Sequence, residues 1–201
     1  MSLATIFSSL FPASRGGDRI FALLRACLIV AFVSVAPFAA AEGITINAAS
    51  VEPSEEGWQV QADFDIQFSP RLEEAVNSGV PLYFVVEFEL SKPRWYWFDE
   101  KPVVQSRVYK VSYTPLLRQY RLSVGNNYQN FTRLEEVTRA LSRVRDWYVA
   151  DRGTIQKDFP YQAALRMRLD TAQLPKPFQV NAIASRDWTL TSDWHRWSTT
   201  P

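Results

Sequence analysis

The sequence is poor in the residues that most catalytic and metal sites need. Its 201 residues include one Cys, one His and 7 Gly. A single Cys excludes a disulfide within the chain, and a single His excludes a metal site built from several histidines. The formal charge is only +1, so the basic excess that nucleic-acid binding requires is missing. We therefore expect no metal, no cofactor and no nucleic-acid partner.

The chain also lacks an apolar run of the roughly 20 residues that span a bilayer, but residues 1–41 have the composition of a targeting segment. Arginines precede an apolar stretch over residues 26–38, and the three alanines at 39–41 are small enough for signal peptidase. We predict a signal peptide over residues 1–41, cleaved before Glu42, and a periplasmic protein. An uncleaved inner-membrane anchor is the alternative.

Alternating apolar and polar residues dominate the rest of the chain and predict β-strands. In the clearest case, residues 58–68, every second residue is apolar, so one face of the strand is buried and the other is solvated. A turn over residues 53–57 joins it to an earlier strand in a hairpin. Half-apolar strands at this spacing favour a single antiparallel β-sandwich of the immunoglobulin-like type over residues 42–201. Further strands are predicted over residues 82–90, 103–113, 116–124 and 163–169.

Two inserted helices interrupt the strand pattern. Ser69 followed by proline is typical of a helix start, and Gly79 ends this first helix. The second helix is predicted from a capping box of Thr132 and Glu135 and continues to Gly153, because apolar residues recur at helical spacing. These residues are Leu134, Val137, Leu141, Val144 and Tyr148.

Acidic side chains on solvated strand faces offer the one catalytic arrangement that the composition leaves open. Asp63 and Asp65 alternate with the apolar residues of one strand, and Glu87 and Glu89 do so on the next. Two carboxylates on neighbouring strands could hydrolyse a glycoside. The simpler interpretation is that these acids are the ordinary polar half of the pattern. We therefore expect no catalytic residues and no enzyme activity.

Tryptophan is unusually abundant, with 7 residues in the chain. Aromatic rings exposed on a β-sandwich can bind sugars or peptide side chains, whereas buried rings only stabilise the fold. A strand through residues 95–98 must point two of its four rings outward. For His195, beside Trp194, packing is a simpler role than catalysis. The partner surface that we predict consists of Trp95, Tyr96, Trp97, Phe98, Trp194 and Trp197.

Several short segments of the sequence form a distinctive combination. They are residues 95–100, residues 113–122, the stretch Leu-Pro-Lys-Pro-Phe-Gln-Val-Asn-Ala at 174–182, and the tryptophan motifs at 185–188 and 194–197. With these segments the chain resembles an exported proteobacterial family known as domain of unknown function 4390. The resemblance implies a Gram-negative source and an envelope location, and it supplies no activity, cofactor or catalytic residue.

Taken together, these features predict an exported envelope protein without catalytic activity. We expect a periplasmic binding or interaction module whose partner is another envelope protein. The alternatives are a glycan-binding module that uses exposed tryptophans and a membrane-anchored accessory protein of an envelope signalling system. Membrane contact is expected only with an uncleaved leader.

Overall fold

A computed structural model gives the structure of residues 43–93 and 100–200. In these two ranges nine strands form two antiparallel sheets, and three short α-helices lie between strands. The strands are β1 Gly43–Pro53, β2 Gly57–Gln67, β3 Leu82–Lys92, β4 Glu100–Thr114, β5 Gln119–Val124, β6 Asn127–Phe131, β7 Arg143–Asp151, β8 Tyr161–Leu169 and β9 His195–Thr199. The helices are α1 Pro70–Asn77, α2 Leu134–Leu141 and α3 Lys176–Ala184. The predicted signal peptide lies outside the described residues.

The two sheets share one apolar core. The smaller sheet has the strand order β1-β2-β7, and the larger sheet has the order β6-β5-β4-β3-β8-β9. Phe88 of β3 is fully buried, and its ring meets the edge of Trp147 on β7 at a centroid distance of 6.4 Å. This packing confirms the mainly β fold and is consistent with a β-sandwich. The strand order does not confirm the immunoglobulin-like variant.

The β1–β2 hairpin and the first helix agree with the sequence prediction. β1 pairs with β2 across the turn, with Ile44 opposite Ile66. Ser69 caps α1, because its Oγ accepts a hydrogen bond from the Leu72 N–H at 3.3 Å. The same hydroxyl donates to the Asp187 carbonyl at 2.7 Å. Ser69 therefore joins the start of α1 to the C-terminal part of the chain.

The second predicted helix is wrong beyond Leu141. Arg143–Asp151 forms β7, which pairs antiparallel with β2. A bulge in β7, where Asp146 has a φ of 50°, separates the buried Val144 and Trp147 by three residues. This spacing imitates the period of a helix. Tyr148, which the helical pattern put on the buried face, is 40% exposed.

The start of α2 also differs from the predicted capping box. Arg133, rather than Thr132, is the N-cap residue, and it makes no side-chain capping bond. The acid that reaches back is Glu136, whose carboxylate accepts hydrogen bonds from the N–H and the hydroxyl of Thr132. The hydrogen bond from Arg133 is the main reason that the pKa of Glu136 lies below its ordinary value.

Three elements have no counterpart in the sequence prediction, namely β6, β9 and α3. β6 and β9 are short strands at the two edges of the larger sheet. α3 adds a third helix to the two that were predicted. Its sequence has no amphipathic stripe, and accordingly none of its residues is fully buried. Within the two described ranges, no helix has the length and apolarity that crossing a membrane requires.

Candidate functional site

The residues of the predicted partner surface do not all lie together. Trp95, Tyr96, Trp97 and Phe98 are outside the described residues. Trp194 and Trp197 are half-buried but are associated with opposite faces of the larger sheet. The ring of Trp194 lies against Arg166, on the solvent side, whereas Trp197 packs toward the core beside Phe88. No single patch therefore contains both rings.

The remaining described tryptophans are structural. Trp58, Trp147 and Trp188 are buried in the core. The ring of His195 lies 5.5 Å from that of Trp197, which agrees with the packing role expected for this histidine. In the parts of the chain that the structure describes, these rings offer no exposed platform of the kind that stacks a sugar.

The carboxylate arrangement that the composition left open does not form between these strands. Asp63 and Asp65 are on β2 of the smaller sheet, whereas Glu87 and Glu89 are on β3 of the larger sheet, and these strands are not neighbours. Each acid is on the solvent side of its own sheet, and the core lies between the sheets. The two sets therefore point away from each other and cannot act on one substrate bond.

Most of these acids form ion pairs instead. Asp63 pairs with Arg145 at 2.5 Å, and Glu89 pairs with Lys101 at 2.6 Å. Glu87 pairs with two arginines, Arg166 and Arg168. Paired carboxylates on a solvated strand face stabilise cross-strand contacts, so the structural interpretation of these residues is the one supported by their contacts.

The outer face of the larger sheet, meaning its solvent side, carries cations that lie on aromatic rings. Near the β6 edge, the Arg121 guanidinium is 4.3 Å from the ring centroid of Tyr128 and donates to the Asn130 side chain at 3.0 Å. On the central strands, the Lys110 ammonium is 5.7 Å from the ring of Tyr83. Each ring holds its cation close to the sheet.

Near the opposite edge, Trp194 takes the same role for two arginines. The guanidinium of Arg166 lies 4.5 Å from the Trp194 ring centroid, and that of Arg196 lies 6.0 Å from it. Arg196 is exposed and has no carboxylate partner in the described ranges. A guanidinium stacked on an indole keeps its N–H groups available for an anion.

Glu87 lies between Arg166 and Arg168 at the centre of this face. Its carboxylate accepts hydrogen bonds from Arg166 and, at 3.1 Å, from the Nε of Arg168. Burial raises the pKa of Glu87, but the hydrogen bonds and charges of the two arginines outweigh it and hold the pKa below its ordinary value. Arg168 also has Asp170 at 3.7 Å, so both arginines have a carboxylate within ion-pair distance.

Cations outnumber acids on the outer face. Val104 and Val108 add an exposed apolar centre, with Val104 59% exposed. The basic residues are Lys101, Lys110, Arg121, Arg166, Arg168 and Arg196, and the acids are Glu87, Glu89 and Asp170. The strand pattern predicts that Arg166 and Arg168 lie on a solvated face, but it cannot show that β4, β5, β8 and β9 bring the six cations onto one face.

A cleft of about 670 Å³ lies where α1 and α2 meet the ends of β2 and β5. Its lining includes Phe68, Glu73 and Tyr120, and the Tyr120 hydroxyl donates to the Asn77 side chain at 2.6 Å. Burial is the main cause that raises the pKa of Tyr120, and the nearby Tyr113, Glu135 and Glu73 raise it further. These groups form hydrogen bonds but include no nucleophile beside a general base.

No cluster of metal-ligating side chains accompanies this cleft or any other part of the two described ranges. In those ranges no three His, Cys, Asp or Glu side chains lie close enough together to hold a metal ion. The outer face of the larger sheet is consequently the most distinctive chemical feature of the described chain.

Comparison with known proteins gives one result. Residues 41–198 match the family described as Domain of unknown function (DUF4390), in agreement with the resemblance noted from the sequence motifs. Neither the curated proteins nor the solved structures give a match. The match covers both described ranges almost completely.

Proposed function

The chain belongs to the DUF4390 family, and because the description of that family assigns no activity, we propose a function from the surface of this protein. The protein is an exported, non-catalytic binding module of the bacterial envelope. Its partner is another envelope protein, which presents an acidic surface. The observation that carries this proposal is the array of cations on aromatic rings across the outer face.

The composition of the outer face is that of a binding surface. Arg, Trp and Tyr are the residues that contribute most to protein–protein affinity. A cation that is already stacked on a ring loses little side-chain entropy when it binds an anion. Val104 and Val108 are exposed between the charged residues, and they would give the contact an apolar centre surrounded by polar groups.

The charge balance favours an acidic partner. Lys110, Arg121 and Arg196 have no carboxylate within ion-pair distance among the described residues, so a partner would supply the missing negative charges. Six strands at a spacing of about 4.8 Å give a face roughly 24 Å wide. This width suits an interface that buries about 800 Å² on each partner.

Export and the absence of catalysis rest on other observations. The targeting composition of residues 1–41 supports an envelope location with the domain in the periplasm. The ion pairs of Asp63, Glu87 and Glu89 support a structural role for these acids. A membrane-anchored accessory protein of a signalling system would use the same outer face, since retention of the leader does not alter it.

The test combines site-specific crosslinking with charge reversal. A photo-crosslinking residue at Val108 or Tyr128 is expected to capture one acidic envelope protein in cells, whereas the same residue at Gln61, on the smaller sheet, is expected to capture none. Arg121→Glu with Arg196→Glu should abolish the product, because like charges repel. Lys157→Glu, in an exposed loop, is the matched control and should leave the product unchanged.

Two outcomes would contradict the proposal. The first is equal crosslinking from Gln61 and Val108, which would mean that the outer face has no special role. The second is binding to a cell-wall sugar that Trp95→Ala with Trp97→Ala abolishes while the charge reversals do not. In that case the glycan-binding alternative would replace the protein-binding one.

A further inference from the structure

Four of the large hydrophobic residues that the fold leaves exposed lie at its α1 end. Leu116, 92% exposed, and Leu117 occupy the turn between β4 and β5. Val180 and Ile183, the latter 89% exposed, lie on α3. Turn tips normally carry polar residues, so two adjacent leucines at this position require an explanation.

The turn and α3 both border α1. The hydroxyl of Tyr120, just after the turn, donates to Asn77 at the end of α1. A gap of about 510 Å³ separates α1 from α3 and is lined by Ala75 and Ser78 on one side and by Phe178 on the other. The exposed leucines and the exposed residues of α3 are therefore at the same end of the fold, on two sides of one helix.

The described chain also begins at this end. Gly43 pairs with Gln67, two residues before the Ser69 cap of α1. The residues that precede Gly43 in the sequence include the apolar stretch over residues 26–38. In the alternative with an uncleaved inner-membrane anchor, the chain thus enters the described domain at the same end that exposes Leu116 and Ile183.

We propose that this end of the domain, called here the apolar end, docks on the surface of a lipid bilayer. The aliphatic side chains of Leu116, Leu117 and Ile183 enter the boundary between headgroups and acyl chains, where their transfer from water is favourable. Arg118 directly follows the two leucines, and Lys176 is the first residue of α3. Both are exposed, and their long side chains can reach lipid phosphates.

A bilayer fits better than a protein for geometric reasons. The apolar residues belong to a protruding turn and to a helix, and such elements insert into a soft interface more readily than they fill a fixed pocket. The apolar end lies across the strand ends, whereas the outer face runs along the strands, so both surfaces can be occupied at once. This inference goes beyond the proposed function and does not depend on it.

Environment-sensitive fluorescence tests the proposal on the full chain. The single native Cys27 is replaced by Ser, and Leu116→Cys, Ile183→Cys and Val104→Cys variants are labelled with an NBD fluorophore. Val104 is the matched control, because it is an exposed aliphatic residue on the outer face. Each chain is then mixed with vesicles of phosphatidylethanolamine and phosphatidylglycerol.

The labels at positions 116 and 183 are expected to shift their emission to shorter wavelengths and to be quenched by brominated lipids. The label at 104 should show neither effect, and near-UV circular dichroism checks that all three variants fold. Equal responses at 104 and 116, or none at 116 and 183, would overturn the proposal. So would a response that needs an added protein and is absent with lipid alone, because the apolar end would then be a protein-binding surface.

Discussion

Replacement of Trp147 by alanine is expected to be among the most destabilising single changes in this protein. Trp147 is 4% exposed, contacts the ring of Phe88 edge-on, and has the Arg107 guanidinium 5.4 Å from its ring centroid. Loss of such a buried ring costs about 3–5 kcal/mol. Arg107 also donates to the carbonyls of Arg145 and Asp146 at 3.3 Å, so removal of the ring disturbs an inter-sheet contact as well.

The size of the effect can be converted into a measurable shift. In a protein of this size each kcal/mol lowers Tm by about 2–4 °C, so Trp147→Ala should lower it by roughly 6–20 °C. Tyr148→Ala is the matched comparison, since Tyr148 is exposed and its hydroxyl only bonds the nearby Asp151. This second change should cost no more than about 1 kcal/mol. Urea and thermal unfolding, followed by near-UV circular dichroism, measure both.

The comparison discriminates between the strand and the helix that the sequence pattern predicts. If residues 143–151 were helical, Trp147 and Tyr148 would both lie on the face of Val144, three and four residues further on, and Tyr148 would be buried. Tyr148→Ala would then cost several kcal/mol, about as much as Trp147→Ala. That result would refute the assignment of β7 and, with it, the inter-sheet contact between Trp147 and Phe88.

Further predictions concern the ion-pair network, two glycines and one helix cap. The pKa of Glu87 is depressed in the folded state, so its ion pairs stabilise the fold at pH values above its ordinary pKa of 4.5. This stabilisation is lost as the pH falls through the lower pKa of the folded state. Glu87→Gln should therefore reduce the loss of stability at acid pH, and an unchanged loss would contradict the network. Gly57→Ala should cost about 2–3 kcal/mol, because a Cβ there would be 2.2 Å from the Ala150 carbonyl oxygen. Gly153→Ala, where nothing lies within 4 Å, should change stability by less than about 0.5 kcal/mol, and equal effects of the two alanines in urea unfolding would count against the strand pairing. Ser69→Ala removes two hydrogen bonds at a buried cap and should cost about 1–2 kcal/mol, measured by thermal unfolding, whereas a neutral effect would exclude the cap.

Side-chain alternation was a reliable guide where a strand has one buried and one solvated face. β2 and β3 lie where the pattern predicts them, because each alternates apolar and polar residues along its length. The cap of α1 was equally readable, since Ser69 followed by Pro70 meets both the hydrogen-bonding and the backbone requirement of a helix start. These are local rules, and the sequence contains all the information that they need.

Periodicity misled where tertiary contacts changed the spacing. The bulge of β7 turned a two-residue repeat into a three-residue one and made a strand resemble a helix. The sequence did not predict α3, because this helix buries no residue completely and has no apolar stripe that would indicate a helix. Neither departure can be recognised without the strand or helix that packs against the segment.

By itself, the sequence determined the mainly β class, the hairpin of β1 and β2, the first helix and the poverty in catalytic groups, because these depend on composition and on neighbouring residues. Only the tertiary structure decided which side chains share a surface. It separated Asp63 from Glu87 by placing their strands in different sheets, and it put Trp194 and Trp197 on opposite faces. It also brought Arg121 and Arg196, far apart in the chain, onto one outer face, because strand order is set by long-range pairing that no local pattern encodes.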